Sequence, residues 1–562
     1  LDQSGNNNDW ASNNLTESDI MVDSPTNNFA VLNSEDTNII NGTMGFQNGN
    51  LKVLGNDGGT GRGVSTMGVN SGKWYAEVTI DTTHKQRIGI VDAVGLNANA
   101  DNGNDGVDYD ATTGQGIIYT YLNGSNNDTG TGSTSSGVDV GNATTGDIIG
   151  IALDADNEDV RFYLNNTALG SEVTDLQRQG VGSTYFFNIR DYSGSGDDVL
   201  SCTINFGQDS SFAGNRVAQG NTDGNGIGDF FYAPPSGFLA LCTDNLPNQD
   251  TVPSDYFNTV LYTGNGNDNR AVTGVGFQPD WVWIKGRTQG ESTAHDSLRG
   301  PANGLFFESE TAEDTGGNLV SFDSDGFTTA DSNRANRNSQ AIVAWCWKAG
   351  GGAASVGSNT DGSINTTDTS VNTDAGFSIS TFIGNATEGA TVGHGLGVVP
   401  EWYFVICRST AGNRLVYHAS NTAAPETDFL TIETTGATTD QANIWNDTAP
   451  TSAVISLGNN ASVNGNNETF VAYFFHSVEG YSKFGSYTAT GNADGPFIYL
   501  GFQPAFLLTK RTDSGDNWRL TDNAREPSND GAFVALKANA TDSEGDTGNR
   551  NFDYLSNGFK VR

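Results

Sequence analysis

One stretch of this sequence has the donor spacing of a cation loop. Asn221-Thr222-Asp223-Gly224-Asn225-Gly226-Ile227-Gly228-Asp229 sets side-chain oxygens at alternate positions among glycines, and a tight loop of that kind can wrap a hard cation. Asn221, Asp223, Asn225 and Asp229 are therefore the candidate metal ligands, with Ca2+ the candidate ion and a polar linker the competing reading. Asp101-Asn102-Gly103-Asn104-Asp105-Gly106, with Asp108 and Asp110, is a weaker second candidate. No catalytic residues are expected. The chain has no GxSxG, HExxH or GxxxxGK[ST], and His84, His295, His394, His418 and His476 are scattered without ligand spacing. Glu77 is the most tempting single acid, but strand alternation puts it on the polar face. Asp296/Arg299 and Asp522/Arg525 recur at the same spacing, which favours a structural turn closed by an ion pair. Cys202, Cys242, Cys346 and Cys407 lie far apart with no CxxC and read as core residues.

These residues must be positioned by strands. The chain has 562 residues, too many for one core, and 72 glycines among abundant Asn, Ser and Thr suit turns and strands rather than helices. Nine Trp, 17 Tyr and 30 Phe set it apart from disordered chains of similar polarity. Twenty-seven Lys and Arg against 66 Asp and Glu give a net charge of -39, which argues against nucleic acid and against an anionic membrane surface. No apolar run is long enough for a membrane helix, so no membrane insertion is expected. The first residues, Leu1-Asp2-Gln3, lack the basic and apolar segments of a leader, so the natural start is expected to lie upstream.

From about Ile20 to Pro235 short apolar runs alternate with Gly/Asn/Asp clusters, as in an antiparallel sandwich. Trp74, Ala76, Val78 and Ile80 share one face of a strand, Ile148–Leu153 reads as buried on both faces, and Val160–Leu164 runs into an Asn165-Asn166 turn. In order, Gly72-Lys73-Trp74-Tyr75 with Glu77, Ile88-Gly89-Ile90, Gly146–Asp154, Val160–Asn165 and Thr203–Gly207 resemble the SPRY/B30.2 module. The resemblance implies a bent two-sheet sandwich that presents loops for protein or glycan binding, without catalysis. A polar insertion, Asn97 to Asn142, departs from the family pattern. The 221–229 loop resembles the calcium loops of thrombospondin type 3 repeats, with Asn221 where Asp is usual.

The second half repeats itself. Gly276-Phe277-Gln278-Pro279-Asp280-Trp281 recurs as Gly501-Phe502-Gln503-Pro504-Ala505-Phe506, and more loosely as Gly397-Val398-Val399-Pro400-Glu401-Trp402. The closing strands Val343-Ala344-Trp345-Cys346-Trp347 and Val471-Ala472-Tyr473-Phe474-Phe475 also match. The fold class is thus all-β, a series of antiparallel β-sandwich domains. A 1–20 arm, a 21–235 SPRY-like unit and a 236–255 linker precede a first repeat at 256–349. A 350–375 linker, a second repeat at 376–480 and an incomplete third repeat at 481–562 follow. The third repeat reaches Arg562 without a closing strand, which is expected to come from a longer polypeptide or from another chain.

The Ser24–Ala30 segment before the sandwich, the Pro234–Cys242 connector and the repeated Gly-Phe-Gln-Pro strands together resemble tail fibre and other receptor-binding appendage proteins of bacteriophages, notably marine ones. That resemblance implies a virion protein on the particle surface that recognises a host cell-surface glycan or protein. Its partners would be phage tail or capsid proteins and further copies of itself, with a homotrimer favoured. A purely structural capsid or tail decoration is the alternative, followed by a polysaccharide depolymerase using paired carboxylates.

Overall fold

The computed structural model describes residues 27–35, 44–55, 62–82, 86–92, 106–110, 116–120, 143–170, 172–174, 176, 184–191, 200–246, 251–489, 491, 495–527, 529, 534–545 and 552–562. The 1–20 arm lies outside them. The chain is all-β and divides into two units, residues 1–248 with 494–499, and 249–493 with 500–562.

The first unit is a two-sheet sandwich. Its larger sheet orders the strands Gly45–Gln47, Lys52–Leu54, Ser201–Asn205, Lys73–Thr82, Ile148–Asp154, Asp159–Leu164 and Thr167–Ala168. The smaller sheet orders Arg62–Val64, Tyr185–Asp191, Gln86–Asp92, Gly106–Asp110 and Gly116–Thr120. Trp74, Ala76, Val78 and Ile80 enter the core between them together with Ile88 and Ile90, so the period-2 face read from sequence is the packed face. Asn165 and Asn166 take φ values of 48° and 67°, the left-handed conformation that Asn tolerates in a tight hairpin. The Asn97–Asn142 insertion contains a strand pair, 106–110 against 116–120. It extends the smaller sheet within what the sequence marks only as a polar insertion, and the rest of it lies outside the described residues.

The outer face of the larger sheet is also covered. Tyr75, Ala152, Phe29, Phe230, Ala240 and Cys242 form a second apolar layer there, and Leu239–Ala240 pairs with Trp74–Tyr75. Gly150 sits where this layer is tightest, since a β carbon there would meet the Tyr75 hydroxyl at 2.7 Å. Residues 236–246 therefore belong to the sandwich rather than to a linker.

The second unit holds all three repeats. The first builds a sheet in the order Phe257–Thr263, Ala341–Trp347, Trp281–Gly286, Ser292–Asp296. The second builds the same order with Phe377–Ile383, Thr469–Phe475, Trp402–Cys407 and Leu415–His418, flanked by Thr366–Asn372 on one side and Asp428–Thr431 on the other. The third contributes Phe506–Thr509, Arg519–Asp522 and Leu536–Lys537. Two expectations are corrected here. The 350–375 stretch is no free linker, because Thr366–Asn372 is an edge strand. Nor are the repeats separate bodies in series: Trp281, Trp283 and Trp345, Phe377, Phe404 and Tyr473, and Trp518 and Leu520 enter one continuous core. Each fully buried aromatic contributes roughly 4–6 kcal/mol of transfer free energy, and a half-sized repeat sheet has no other place to bury that face.

Candidate functional site

The buried acid Glu77 sits on the face opposite Trp74, beneath the second apolar layer. Its Oε2 accepts a hydrogen bond from the Phe231 amide and its Oε1 one from the Tyr232 amide, both at 2.8 Å. Asn205 Nδ2 and the Tyr75 hydroxyl approach at 3.4 Å. Burial pushes the carboxyl up to about 7, against the pull of the two amides. Alternation assigned Glu77 to a polar face; in the fold it is fully buried, because residues 206–242 cover that face. Its role is structural, pinning Phe230–Tyr232 to the sheet.

The 221–229 loop is held by its own hydrogen bonds. Asp223 Oδ1 accepts from the amides of Asn225 and Ile227, and Oδ2 accepts from the Ala240 amide and Asn245 Nδ2. Asn221 turns its Nδ2 to the carbonyls of Phe230 and Phe231, Asn225 Nδ2 donates to Asn245, and Asp229 accepts from Gly220. The four candidate ligands thus serve separate turns instead of converging, and Asp223 meets four N–H donors where a cation would need its oxygens. Among the described residues no group of three or more His, Cys, Asp or Glu is placed to hold a metal ion. Of the weaker acidic candidate, Asp108 and Asp110 fall in the added strand pair and 101–105 lie outside the described residues.

The densest charged constellation joins the repeats of the second unit. Asp296 Oδ2 and Arg299 Nε are 2.5 Å apart with both side chains buried, and Asp522 with Arg525 repeats this at 2.7 Å. The turn read from sequence is present in both copies. What sequence reading missed is its reach. Arg299 also holds Glu313, which takes a two-pronged pair of hydrogen bonds from Arg408 of the second repeat at 2.7 and 3.0 Å. Arg525 holds Glu544, which takes the same pair from Arg287 of the first repeat at 2.8 Å each. The Tyr473 hydroxyl donates to Asp296, and Trp345 Nε1 donates to Asp522. Burial pushes Glu313 and Glu544 up, yet the hydrogen bonds and charges of their paired arginines outweigh it and hold both below the usual carboxylate range. The available signal was the basic residue eight positions after each proline, Arg287 and Arg408, in register with the turns.

The third junction keeps the path and loses the charge. In register, His418, Asn421, Thr438 and Thr512 stand where the others have Asp, Arg, Glu and Arg. Thr438 Oγ1 donates to Asn421 at 2.8 Å, and Thr438 N donates to the Thr512 carbonyl, as Glu313 N does to Arg408 and Glu544 N to Arg287. Lys285 is buried at the Arg287–Glu544 junction, donating to the carbonyls of Gly290 and Ala540, and burial lowers it to about 8. Burial drives His295 down to about 3, which keeps it neutral. All four cysteines are buried thiols, and Trp281, Trp283, Trp345 and Trp347 are core.

The smaller sheet of the first unit carries a second constellation that sequence reading missed. Its register sets Arg62, Arg190 and Arg87 side by side across three strands, with Asp110 next in the row. All three arginines are buried and engaged with partners. Arg87 alternates with the core residues Ile88 and Ile90, the pattern that could have revealed it.

The fold and these constellations define an all-β protein whose first unit is a SPRY-type sandwich: residues 73–191 match the SPRY domain. The chain belongs to the family described as Domain of unknown function (DUF7483), which it matches over residues 252–562. Among solved structures, the SPRY domain of human HERC1 is similar at 16% identity and a TM-score of 0.21, over 32% of this chain and 96% of that one. The TRIM65 PSpry domain is similar at 12% identity and a TM-score of 0.21, over 32% of this chain and 92% of that one. No curated protein matches the chain.

Proposed function

We propose that this protein is a non-catalytic recognition component of a bacteriophage virion, a tail fibre or similar appendage that binds a host cell-surface glycan or protein. One observation carries the reading: the buried acid Glu77 and the buried ion pairs of the Asp296/Arg299 and Asp522/Arg525 turns are engaged in tying the fold together. Chemistry used in this way makes rigid modules and leaves recognition to the polar connections between strands. A net charge of -39 supports the same reading, since it opposes self-association on a crowded particle. The resemblance to appendage proteins implies a homotrimer displayed on the virion.

The test is binding of the purified protein to surface polysaccharide from a susceptible bacterium, with replacement of residues 121–142 by a short Gly-Ser connection as the comparison. Saturable binding that weakens at least tenfold in the replacement supports recognition. Protein that is present on the particle but neither binds the host surface nor blocks infection overturns it in favour of a decoration role. Release of reducing ends from the polysaccharide overturns the non-catalytic part.

A further inference from the structure

The buried acid Glu77 fixes something that is not core. Its oxygens take the amides of Phe231 and Tyr232 at 2.8 Å, yet both side chains are half-exposed, while Phe230 beside them enters the second apolar layer. Desolvating a carboxyl is unfavourable, and here it serves to hold two surface rings in place. Those rings stand 81° apart with centroids at 5.0 Å, and the buried ring of Phe212 packs on Phe231 at 6.4 Å.

Two other elements reach the same patch. Arg161 and Tyr163 alternate with the core residues Val160 and Phe162, so they face outward from the larger sheet, and Tyr163 packs on the second apolar layer. The Tyr163 and Tyr232 phenols both lie within electrostatic reach of the buried Tyr75 hydroxyl. Arg216 lies against the backbone of Gly146, where a β carbon would meet its Nη2 at 3.3 Å. The next residue, Asp147, accepts from Asn165 Nδ2 at 2.8 Å, which ties this turn to the hairpin that carries Tyr163.

Each phenol has a guanidinium nearby. Burial pushes Tyr232 up, the Glu77 charge adds to this, and Arg216 opposes both. Burial likewise pushes Tyr163 up against the pull of Arg161. Among the described residues neither arginine makes a side-chain hydrogen bond or ion pair, and Arg161 Nε is buried without a partner. The acids in reach do not neutralise them by contact: Asp147 is engaged by Asn165 and Thr144, and Glu172 is exposed.

We propose that Tyr163, Phe231, Tyr232, Arg161 and Arg216 form a subsite for a carboxylate-bearing sugar residue of the host-surface glycan, an inference that rests on the recognition reading above. Acids outnumber Lys and Arg by 66 to 27 in this chain, so two guanidinia left without counter-ions beside two phenols suit an anionic group from outside. A pyranose ring is apolar on its C–H faces and polar at its rim. The electron-rich face of an aromatic ring attracts the C–H groups, the phenol tips exchange hydrogen bonds with the sugar hydroxyls, and the planar guanidinium fork meets a carboxylate with two parallel bonds. Held by its main chain to Glu77, the aromatic pair is ordered before the sugar arrives, which lowers the entropy lost on binding.

The test measures, by calorimetry, binding of the full chain to purified surface polysaccharide from a susceptible bacterium, before and after the carboxylates of that polysaccharide are reduced to alcohols. Arg216→Ala and Tyr232→Ala are measured in parallel. Both keep the Glu77 contacts, which use main-chain amides, and an unchanged melting temperature confirms that each variant is folded. The native chain is expected to bind the intact polysaccharide about tenfold or more tighter than the reduced one, and each substitution to weaken binding of the intact form by about tenfold or more. Arg216→Ala should leave binding of the reduced form unchanged. Equal binding of the two polysaccharides by the native chain, or an Arg216→Ala variant that loses both forms alike, overturns the carboxylate assignment. Native-like binding by both variants overturns the subsite and leaves the recognition reading standing, whereas no binding by the native chain overturns that reading and the subsite with it.

Discussion

Two of the three junctions in the second unit are built from buried ions and the third from neutral groups, on the same backbone path. Glu313 N to the Arg408 carbonyl, Glu544 N to Arg287 and Thr438 N to Thr512 are equivalent hydrogen bonds, so the docking of one repeat on the next does not depend on charge. Aromatic packing sets it: Phe257 on Phe506, Phe377 on Trp281 and Phe484 on Trp402 complete the cycle. A buried ion group gains little over a neutral replacement of matching shape, because desolvation offsets the Coulomb attraction, but losing one member leaves the others charged and unpaired.

The sharpest way to break this comparison is a pair of single substitutions. Arg299→Ala leaves the buried Asp296 without its cation and Glu313 with Arg408 alone and is expected to cost about 3–5 kcal/mol, whereas Asn421→Ala at the neutral junction costs about 1 kcal/mol or less. Urea unfolding followed by tryptophan fluorescence measures both, and equal costs would end the distinction. Grafting the neutral junction onto the first, with Asp296→His, Arg299→Asn, Glu313→Thr and Arg408→Thr together, is expected to cost less than Arg299→Ala alone, about 1–2 kcal/mol. A four-fold variant worse than the single one would mean that the charges do set the docking.

Acidity acts with opposite sign on Glu77 and on the two junction glutamates. Glu313 and Glu544 are lowered in the fold, so their contribution is full above pH 4.5 and is lost as pH falls through their folded values. Glu77 is raised to about 7, so its contribution is full below pH 4.5 and is lost as pH rises through 7, by roughly 3 kcal/mol. Hydrogen exchange at the Phe231 and Tyr232 amides follows the first unit. Protection there should fall between pH 4.5 and 7 once intrinsic exchange is corrected for, and Glu77→Gln should flatten the profile. The smallest expected effect is that of Ca2+: with Asp223 already meeting four N–H groups, millimolar calcium should leave the melting temperature unchanged within about 1 °C. A clear rise would restore the 221–229 loop as a cation site.

Much of this was legible in the residues. Trp74, Ala76, Val78 and Ile80 declared a packed strand face, Asn165-Asn166 declared its hairpin, and the spacing of Asp296/Arg299 and Asp522/Arg525 declared two closed turns. Alternation and turn chemistry are local, and the fold respected them. Glu77 was misplaced because alternation tells one face of a strand from the other but cannot say that a segment 150 residues away will cover the second face. The candidate metal ligands show a related limit, since oxygen spacing around glycines serves amide donors as well as a cation, and the approach of Ala240 and Asn245 brings such donors to Asp223.

By itself the sequence determined the strands, the SPRY order and the register of the three repeats, because these follow from side-chain period and turn residues. Tertiary structure alone decided that the repeats share one core, and that Tyr473 answers Asp296 and Trp345 answers Asp522 across 177 positions. Those outcomes depend on which apolar faces meet, and a half-sized sheet can bury its aromatic face only against its neighbours.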